Sequence, residues 1–473
     1  MSPVSEATSP VGCDSLGTTE YRVADSGVGS DYTASLLEWL GCRVVRSPNG
    51  SEPHPAIEWA DSGAMSLTGH ADGPPVLAPG PLATCARAAL DAIRLVAGER
   101  WWSDLDGPAL LGERAAIFGL ARRGVVSPGG SCRILQATDG WIAISLPRPD
   151  DLRSIPAWLG EGEVAEPWEF VASHVALRPA AEIVARARLL GLAAAVAVDP
   201  PAVAPPWCRV AARGRSVTRA RSELPLVVDL SSLWAGPLCT HLLELAGARV
   251  VKLESTRRTD GARSGPPEFY GLLNAGKSSV ALDFGDPSGR RQLHRILERA
   301  DIVVESARPR ALAQLGVDAE SLVESAPGLT WVSLTGYGRR EPGAGWVAFG
   351  DDASVAAGLA AATGGRGGPP LFCGDAIADP LAGIHAALAA LACWQGGGGY
   401  LLDLALSDVV AHVLGFGPAP SPASVHRTGP GWEVVAGHQR TAVSPPRARP
   451  VRRPARALGA DTERVLEELS ISC

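Results

Sequence analysis

Residues that could bind a phosphate group lie along a short stretch in the middle of the chain. A buried apolar strand at 226–230 is followed by the turn Ala235-Gly236-Pro237, a helix, and a second strand that ends in Lys252-Leu253-Glu254. This is the order of a nucleotide-binding βαβ unit, in which the N-terminus of the helix can hold a phosphate. The motif G-x-G-x-x-G is absent, which argues against NAD. A structural alternative is that Gly236 and Pro237 only shape the turn.

Lysine is rare in this chain, and both lysines fall in this region. Lys252 and Lys277 are the only two, so the other side chains that carry a fixed positive charge are arginines. A GC-rich genome would explain the arginine bias, and against that background the two lysines are informative. The histidines show no metal-ligand spacing, and neither G-x-S-x-G nor a Walker loop occurs. The sequence therefore predicts no metal site.

The bulk composition argues against several classes of protein. The chain has 473 residues, a net charge of −7 and 46% hydrophobic residues, which is normal for a globular protein of several domains. The acidic balance argues against binding to nucleic acid or to a membrane surface. The first residues show no signal-peptide pattern, no apolar stretch is long enough to span a membrane, and the nine cysteines include no C-x-x-C. We therefore expect a cytoplasmic protein with reduced thiols.

The order of the predicted elements indicates an α/β fold. Apolar strands are predicted at 226–230, 250–254, 279–283, 301–305 and 330–334. Helical patterns lie between several of them, notably at 287–299 and 309–315. Continuous apolar strands that alternate with helices indicate a parallel sheet covered on both faces, here a Rossmann-like module.

The rest of the chain divides into further units by composition. Strands at 132–136 and 141–146, joined by an Asp139-Gly140 turn, predict a hairpin in a small α+β domain. Proline and arginine are frequent in 199–225, and prolines in 416–457 predict an extended segment before a helix at 461–469. The predicted organisation is a partial module at 1–105, the small α+β domain with helices at 106–198, a linker at 199–225, the Rossmann-like module at 226–415, and an extended tail with a terminal helix at 416–473.

Two pairs of similar segments indicate an internal duplication. Residues 34–45 resemble 240–251 at an offset of 206, and each predicts a helix, a glycine stop and a β-branched strand. Residues 63–75 resemble 358–370 at an offset of 295, and each precedes an alanine-rich helix. Because the offsets differ, the first copy lacks a segment that the second keeps.

The second half of the chain carries six short motifs in order. They are Ala235-Gly236-Pro237, Gly247-Ala248-Arg249-Val250-Val251-Lys252-Leu253-Glu254, Asn274 with Lys277, Ser279, Leu282 and Asp283, Val304-Glu305-Ser306-Ala307-Arg308-Pro309, Leu334-Thr335-Gly336-Tyr337-Gly338, and Ile377-Ala378-Asp379-Pro380-Leu381-Ala382-Gly383. In this order they resemble the class III CoA-transferases, the formyl-CoA and carnitine-CoA transferase group.

The first half resembles later parts of the same family. These parts are an alanine-rich helix, the small domain near Asp139-Gly140-Trp141, and arginine-rich helices at 180–190. The resemblance implies a fusion of two partial modules. Because members of the family form interlocked dimers, it also implies that the two halves of one chain form an internal pseudo-dimer, either as a monomer or within a homodimer.

The resemblance implies an enzyme that moves coenzyme A between an acyl-CoA and a carboxylic acid. In the family an aspartate attacks the thioester, and the reaction passes through a mixed anhydride and an aspartyl-CoA thioester. The family's aspartate falls at Gly350 here, so Asp351 or Asp352 is the expected nucleophile. The alternative is that this pair caps the helix predicted at 353–362. Asp379 matches a second catalytic acid in a racemase branch, or else has a structural role at the start of a helix.

The coenzyme A thioester is thus an expected substrate, and no prosthetic group is implied. The predicted contacts to coenzyme A are Gly236, Pro237, Lys252, Glu254, Arg258, Asn274, Lys277, Ser306, Ala307, Arg308, Gly336 and Tyr337. We expect the adenine-diphosphate end at the C-terminal edge of the sheet, where arginines would neutralise its phosphates. The family often has Asn-Phe where Ser306-Ala307 stand.

Two alternatives to a transferase remain open from the sequence. One is an acyl-CoA racemase or isomerase of the same fold, although Phe349 stands where that branch has a histidine. The other is a non-catalytic paralogue that binds CoA thioesters. The acyl group and the acceptor acid are not determined by any of these motifs.

Overall fold

A computed structural model describes residues 19–48, 52–101, 104–160, 166–220, 223–365, 367–417, 422–451 and 453–471. Residues 1–18, on which the expectation about a signal peptide rests, lie outside this range. Among the described residues, no helix combines the length and the apolar character needed to cross a membrane.

Helices make up most of the regular structure. They are α1 (Val28–Trp39), α2 (Pro55–Asp61), α3 (Leu82–Ala97), α4 (Gly107–Leu110), α5 (Glu113–Phe118), α6 (Pro149–Arg153), α7 (Ile155–Leu159), α8 (Pro167–Val175), α9 (Ala180–Leu189), α10 (Ala235–Leu245), α11 (Pro267–Asn274), α12 (Pro287–Glu298), α13 (Pro309–Gln314), α14 (Ala319–Ser325), α15 (Gly350–Ala356), α16 (Leu359–Gly364), α17 (Ala378–Gln395), α18 (Leu406–Leu414) and α19 (Thr462–Glu468).

The strands belong to four sheets. They are β1 (Glu20–Ala24), β2 (Arg43–Ser47), β3 (Cys132–Gln136), β4 (Trp141–Ser145), β5 (Ala193–Val196), β6 (Arg209–Arg213), β7 (Leu226–Leu230), β8 (Arg249–Ser255), β9 (Ser278–Leu282), β10 (Ile302–Glu305), β11 (Thr330–Thr335), β12 (Tyr400–Ala405), β13 (Ser424–Thr428), β14 (Gly431–Ala436) and β15 (Gln439–Ala442).

The largest sheet has seven strands in the order β6-β12-β11-β10-β7-β8-β9. Six of them are parallel, and the edge strand β6 runs antiparallel to β12. The chain builds outward from β7 through β8 to β9, then returns to β10 on the other side of β7 and continues through β11 to β12. The direction of winding therefore reverses between β7 and β10, and open α/β sheets bind their ligands at such a switch point. The predicted mixed α/β fold is confirmed.

Two stretches that were expected to lack regular structure contribute strands. The predicted linker at 199–225 contains β6, whose main chain pairs with β12 from Arg209 to Arg213. The predicted extended tail contains β13, β14 and β15, which form an antiparallel sheet against α2. In both stretches the prolines lie outside the paired strands. The prediction from proline content was wrong because these short strands are stabilised by the neighbouring elements with which they pair. The terminal helix predicted at 461–469 is confirmed as α19.

The small domain contains the predicted hairpin. Strand β3 pairs antiparallel with β4 from Cys132 opposite Ser145 to Gln136 opposite Trp141, and β5 joins as a third strand. Helices α7, α8 and α9 cover it with a separate apolar cluster that includes Trp158. The other face of the domain meets α15, because β4 and β5 both contact that helix.

The two repeats correspond to equivalent elements of the structure. The β1-α1-β2 unit pairs Glu20 with Arg43, and the β7-α10-β8 unit pairs Leu226 with Arg249, which are the same positions shifted by 206 residues. Shifting α2 by 295 residues gives the bounds of α15. The same shift places α3 over α17 within a few residues at each end. The two pairs of similar segments thus form matching elements at matching offsets in this structure.

The elements of both copies share one apolar core. Helix α17 is buried on almost every face, as expected of a helix whose apolar residues surround its axis. It packs on α10 from its own copy and on α3 from the other, while α1 packs on α3. Apolar side chains from all four helices lie in one continuous cluster.

Candidate active site

Four aspartates meet where the first turns of α15 and α17 approach each other. Asp351 and Asp352 lie in the first turn of α15, Asp379 lies in the first turn of α17, and Asp375 precedes α17. We call these residues the acid cluster. Three of them were predicted site residues, and Asp375 was not.

Asp352 caps α15 and is fully buried. Its Oδ1 accepts hydrogen bonds from the backbone N–H of Phe349 at 2.9 Å and from Ser145 Oγ at 3.0 Å, and its Oδ2 accepts from Tyr337 Oη at 2.9 Å. Burial raises the pKa of this carboxyl to about 6, against the lowering effect of these hydrogen bonds. The capping interpretation is thus confirmed for Asp352.

Asp351 points toward the segment before α17 and is only 8% exposed. Its Oδ1 accepts a hydrogen bond from the backbone N–H of Ala376 at 2.9 Å. Burial, together with the neighbouring charge of Asp375, raises its pKa to about 7, which Arg114 partly opposes. Asp375 is completely buried, and its Oδ1 accepts a hydrogen bond from Arg114 Nη1 at 2.6 Å.

Asp379 is the most exposed member of the acid cluster, being partly open to solvent while the other three are buried. Desolvation raises its pKa to about 7, opposed by the charge of Arg114 and by a hydrogen bond from the backbone of Ala235 at the start of α10. A Cβ at Gly350 would overlap Asp379 Oδ2. Glycine at the start of α15 therefore makes room for the carboxylate of Asp379.

The segment that leads into α17 has an unusual backbone. Ala376 has a φ of 43°, in the left-handed region that residues with a Cβ seldom adopt, and it follows Gly374 with a φ of 70°. The backbone N–H of Asp379 donates to the carbonyl of Ala376 at 2.9 Å, so this turn starts the helix that carries Asp379. Strained turns of this kind are found at functional sites.

The two lysines form a buried network and do not face solvent. Lys277 Nζ lies 2.9 Å from Asp229 Oδ2 and also donates to Asn274 Oδ1 at 2.9 Å, and Lys252 Nζ lies 3.1 Å from Asp260 Oδ2. Both side chains are about 1% exposed. Burial would raise the pKa of Asp229, but the two ammonium groups hold it well below its usual range.

The network around the two lysines holds the start of α10 in place. Lys277 Nζ donates to the carbonyl of Pro237 at 2.9 Å, and a Cβ at Gly236 would overlap the side chain of Ser231. Glu254 is also internal, because its carboxylate is bound by Arg263 at 2.6 Å. Of the residues predicted to bind coenzyme A, Lys252, Lys277, Asn274 and Glu254 are therefore occupied inside the protein, and in this structure they do not offer charge to a phosphate.

The exposed residues of the predicted set lie at the C-terminal edge of the sheet. Arg258 follows β8, and Ser306 and Arg308 follow β10, and all three are exposed. Within the described part of the chain, neither of these arginines forms an ion pair. Ser306 Oγ accepts a hydrogen bond from the backbone N–H of Ser232 at 3.1 Å, which joins the loops after β10 and β7 at the switch point.

The remaining predicted contacts are held by their own neighbours. Ala307 N–H donates to Glu305 Oε2 at 2.7 Å, and a Cβ at Gly336 would overlap the Cβ of Ala348. Tyr337 donates to Asp352 as described, and its ring packs against Trp346 with centroids 5.4 Å apart. These residues link the sheet edge to the acid cluster.

Several residues of the site come from the first half of the chain and carried no signal in the sequence. They are Arg114 on α5, Ser145 on β4 and Arg188 on α9, whose guanidinium carbon lies 3.5 Å from the centroid of the Trp346 ring. Each contacts a partner more than 150 residues away, so local patterns could not connect them.

The first copy does not repeat the acid cluster. At the offset of 295, Asp351, Asp352 and Asp379 correspond to Ala56, Ile57 and Thr84. Thr84 instead hydrogen-bonds to Glu58, which also pairs with Arg87. The first copy therefore has no acid at any of these three positions.

Comparison with known proteins shows that one part of the chain resembles a known family. Residues 226–445 match the sequence profile of CoA-transferase family III. The chain is 32% identical over 205 residues to the succinate–glutarate CoA-transferase of Agrobacterium fabrum, covering 40% of this chain and 51% of that protein. It is 28% identical over 198 residues to a formyl-CoA:oxalate CoA-transferase of Escherichia coli, covering 40% of this chain and 48% of that protein.

A solved structure also resembles this chain. The crystal structure of a CAIB/BAIF family protein from Brucella suis is 26% identical, with a TM-score of 0.38 and coverage of 45% of this chain and 65% of that chain. The match to CoA-transferase family III thus extends over residues 226–445, a little under half of this chain. The chain spans about half the length of the curated relatives that it matches.

Proposed function

We propose that this protein is a CoA-transferase that exchanges coenzyme A between an acyl-CoA and a carboxylic acid, with Asp379 as the nucleophile. The observation that carries the proposal is that Asp379, within the segment that matches family III, is the one acid of the cluster that is partly open to solvent. A nucleophile must reach the thioester carbon, and a buried carboxylate with all its hydrogen bonds satisfied does not.

This proposal moves the nucleophile from the residues first expected from the sequence. Asp352 is committed to three hydrogen bonds and caps α15, and Asp351 is buried against Ala376. Freeing either carboxylate would break contacts that hold α15 and the turn before α17 in place. Asp379 is more open to solvent, and the contact described for its carboxylate is a hydrogen bond from the backbone of Ala235.

The proposed reaction balances without an added proton or oxidant. The ionised carboxylate of Asp379 attacks the thioester carbonyl and expels the CoA thiolate, which leaves a mixed anhydride. The thiolate then attacks the aspartyl carbonyl, releases the donor acid as its carboxylate and leaves an aspartyl-CoA thioester. The acceptor carboxylate attacks this thioester and expels the CoA thiolate, which leaves a second mixed anhydride. The thiolate then attacks the acceptor acyl carbonyl of this anhydride, forms the new acyl-CoA and releases the carboxylate of Asp379.

Coenzyme A is proposed to bind across the switch point between β7 and β10. Arg258 and Arg308 are exposed there without protein partners in the described chain, and guanidinium groups bind phosphates well. The start of α10 lies beside Asp379, so a ligand that follows this edge would bring its thioester toward the acid cluster. In this proposal Lys252 and Lys277 do not bind phosphate, and they stabilise the turn that starts α10.

The two halves are proposed to form an internal pseudo-dimer with a single acid cluster. The equivalent positions of the two copies and the packing of α3 on α17 support this arrangement. Because the first copy has Thr84 in place of Asp379, one acyl-CoA per chain is the expected stoichiometry.

Substitution of the acids tests the proposal. Asp379→Asn should abolish both acyl transfer and the aspartyl adduct that mass spectrometry detects after incubation with succinyl-CoA, while CoA affinity stays close to that of the unaltered protein. Asp351→Asn should keep the adduct, so it serves as the matched control within the cluster. Full transfer by Asp379→Asn would rule out this nucleophile. CoA binding with no adduct in the unaltered protein, over a panel of acyl-CoAs, would support the non-catalytic alternative.

A further inference from the structure

Arg114 reaches the acid cluster from the other half of the chain. It lies on α5, and its Nη1 forms an ion pair with Asp375 Oδ1 at 2.6 Å. Its guanidinium carbon lies 5.2 Å from the centroid of the Phe118 ring, one turn further along α5. A Cβ at Gly129 would lie 3.1 Å from Arg114 Nη2, so the small domain also approaches this side chain. Arg114 is therefore held in place by its own half.

The partner of Arg114 belongs to the strained turn that starts α17. Asp375 lies between Gly374 and Ala376, both of which have positive φ values. Three contacts hold this turn: the ion pair of Asp375 with Arg114, the hydrogen bond from Ala376 N–H to Asp351 at 2.9 Å, and the hydrogen bond from Gly374 N–H to Thr68 Oγ1 at 2.9 Å. Because the turn ends at Asp379, its shape decides where that carboxylate points.

The charges around Asp379 come from several elements. Asp352 acts on it from α15, Asp375 from its own turn and Arg114 from α5, while α10 contributes the backbone of Ala235. On the far side of Asp352 lie Tyr337 and Arg188, and the thiol of Cys132 on β3 is kept neutral because burial raises its pKa. Three of the four acids, Asp351, Asp375 and Asp379, thus interact with the guanidinium of Arg114.

We propose that Arg114, through its ion pair with Asp375, is a positioning residue that holds the 374–379 turn and places a positive charge beside Asp379, an inference that rests on the proposed transfer reaction. An attacking carboxylate must be ionised, and a cation close to a group of buried acids favours ionisation. The carboxylate of Asp375 is the ion-pair partner of the Arg114 guanidinium, so this pair connects α5 in the first half to the turn before α17 in the second half.

The pH profile of transfer separates this role from a general effect on folding. Arg114→Gln should shift the acid limb of the kcat/KM profile upward by about one pH unit or more, because the acids lose their nearby cation. Activity should therefore fall most at pH 6–7 and recover in large part at pH 9. Arg114→Lys, which keeps the charge, should restore most of the shift.

A matched control comes from the same segment of the chain. Arg122 donates to the backbone carbonyls of His70 and Gly73 at 3.0 and 2.8 Å and makes no contact with the acid cluster. Arg122→Gln should leave the acid limb where it is. An unmoved acid limb in Arg114→Gln, or a loss that is equal at every pH and is shared by Arg114→Lys, would overturn the inference.

An infrared titration of the substrate-free protein tests the charge effect without relying on activity. The protonated carboxyl band should persist to higher pH in Arg114→Gln than in the unaltered protein, and part of it should vanish in Asp379→Asn. If Asp379→Asn still transfers CoA, the proposed reaction fails, although the infrared shift still reports on Arg114. If Asp379→Asn is inactive but Arg114→Gln moves neither the band nor the acid limb, the positioning role alone fails.

Discussion

The carboxylate of Asp379, which is only partly open to solvent, should set the pH dependence of the proposed reaction. Its pKa is raised to about 7, chiefly by burial, and only the ionised form can attack a thioester. Activity should therefore rise with pH through about 7 and be lost below about 6. The pKa values of Asp351 and Asp352 are raised as well. The acid limb of the activity profile therefore reports the joint titration of these neighbouring carboxyls and of Asp379. A profile of kcat/KM between pH 5 and 9 measures it, and a flat profile would contradict an aspartate nucleophile.

Buried acids also make the stability of the protein depend on pH. The pKa of Asp351 is about 7 in the folded state and near its ordinary value in the unfolded chain, so the folded state binds more protons between about pH 4 and 7. Stability from this group therefore falls as pH rises through that window. Asp351→Asn should raise the free energy of unfolding by roughly 1–2 kcal/mol at pH 8 and change it little at pH 5.

Denaturant unfolding of Asp351→Asn at the two pH values measures this effect. The control is Asp199→Asn, because Asp199 is exposed and its substitution should change stability little at either pH. An equal change in the free energy of unfolding at pH 5 and pH 8 would show that folding does not raise the pKa of Asp351.

At the scale of elements, the close approach of α15 and α17 depends on Gly350. A Cβ there would overlap Asp379 Oδ2 and lie 2.5 Å from the carbonyl oxygen of Ala376. Gly350→Ala should therefore displace the nucleophile and lower kcat by about 100-fold, as misplacement by about an ångström does elsewhere. Gly345→Ala is the control, because a Cβ at Gly345 meets no atom within 4 Å and should cost little activity. Steady-state kinetics and CoA binding by calorimetry distinguish a displaced acid from a lost binding site, and full activity of Gly350→Ala would contradict this geometry.

The loops that follow β8 and β10 should carry the affinity for coenzyme A. Arg258→Gln combined with Arg308→Gln should weaken CoA binding by roughly 10-fold or more, because two exposed guanidinium groups no longer pair with phosphates. Calorimetry at low and moderate salt measures the loss, which should shrink as salt increases. The control is Arg291→Gln with Arg299→Gln, which removes the same charge from exposed positions in α12 and just after its last residue. Equal affinity in the two double variants would remove the proposed phosphate site.

At the scale of the whole molecule, the two halves should not fold apart. Helix α17 buries apolar residues against α3, and the tail fastens both halves, since Arg447 pairs with Asp61 and Asp106 while Arg453 pairs with Glu244. Residues 226–473 expressed alone would expose the α17 face that α3 covers, and should aggregate. Co-expression with residues 1–225 should restore a soluble complex. A monomeric 226–473 fragment with a sharp thermal transition would contradict the pseudo-dimer.

Local patterns in the sequence determined much of the architecture. The five predicted strands from 226 to 334, the hairpin of β3 and β4, and the helices α3, α12 and α17 all follow from apolar runs, turns and capping residues that lie close together in the chain. The similarity of the two repeat segments was visible because glycines and prolines keep their spacing, and Gly63 and Gly358 do share a left-handed backbone, with φ values of 83° and 87°. Strands β6 and β13–β15 were missed, because their pairing partners, and not their composition, stabilise them.

The tertiary structure alone decided the roles of the charged residues. The sequence placed Lys252 and Lys277 among phosphate ligands and favoured Asp351 or Asp352 as the nucleophile, but burial and hydrogen-bond partners depend on elements that are far apart in the chain. Asp229 forms ion pairs with the two lysines, and Ser145 and Tyr337 hydrogen-bond to Asp352. Arg114, from the other half of the chain, pairs with Asp375. Such pairings follow from packing in three dimensions, since the free energy of a buried charge is set by what surrounds it and not by its neighbours in sequence.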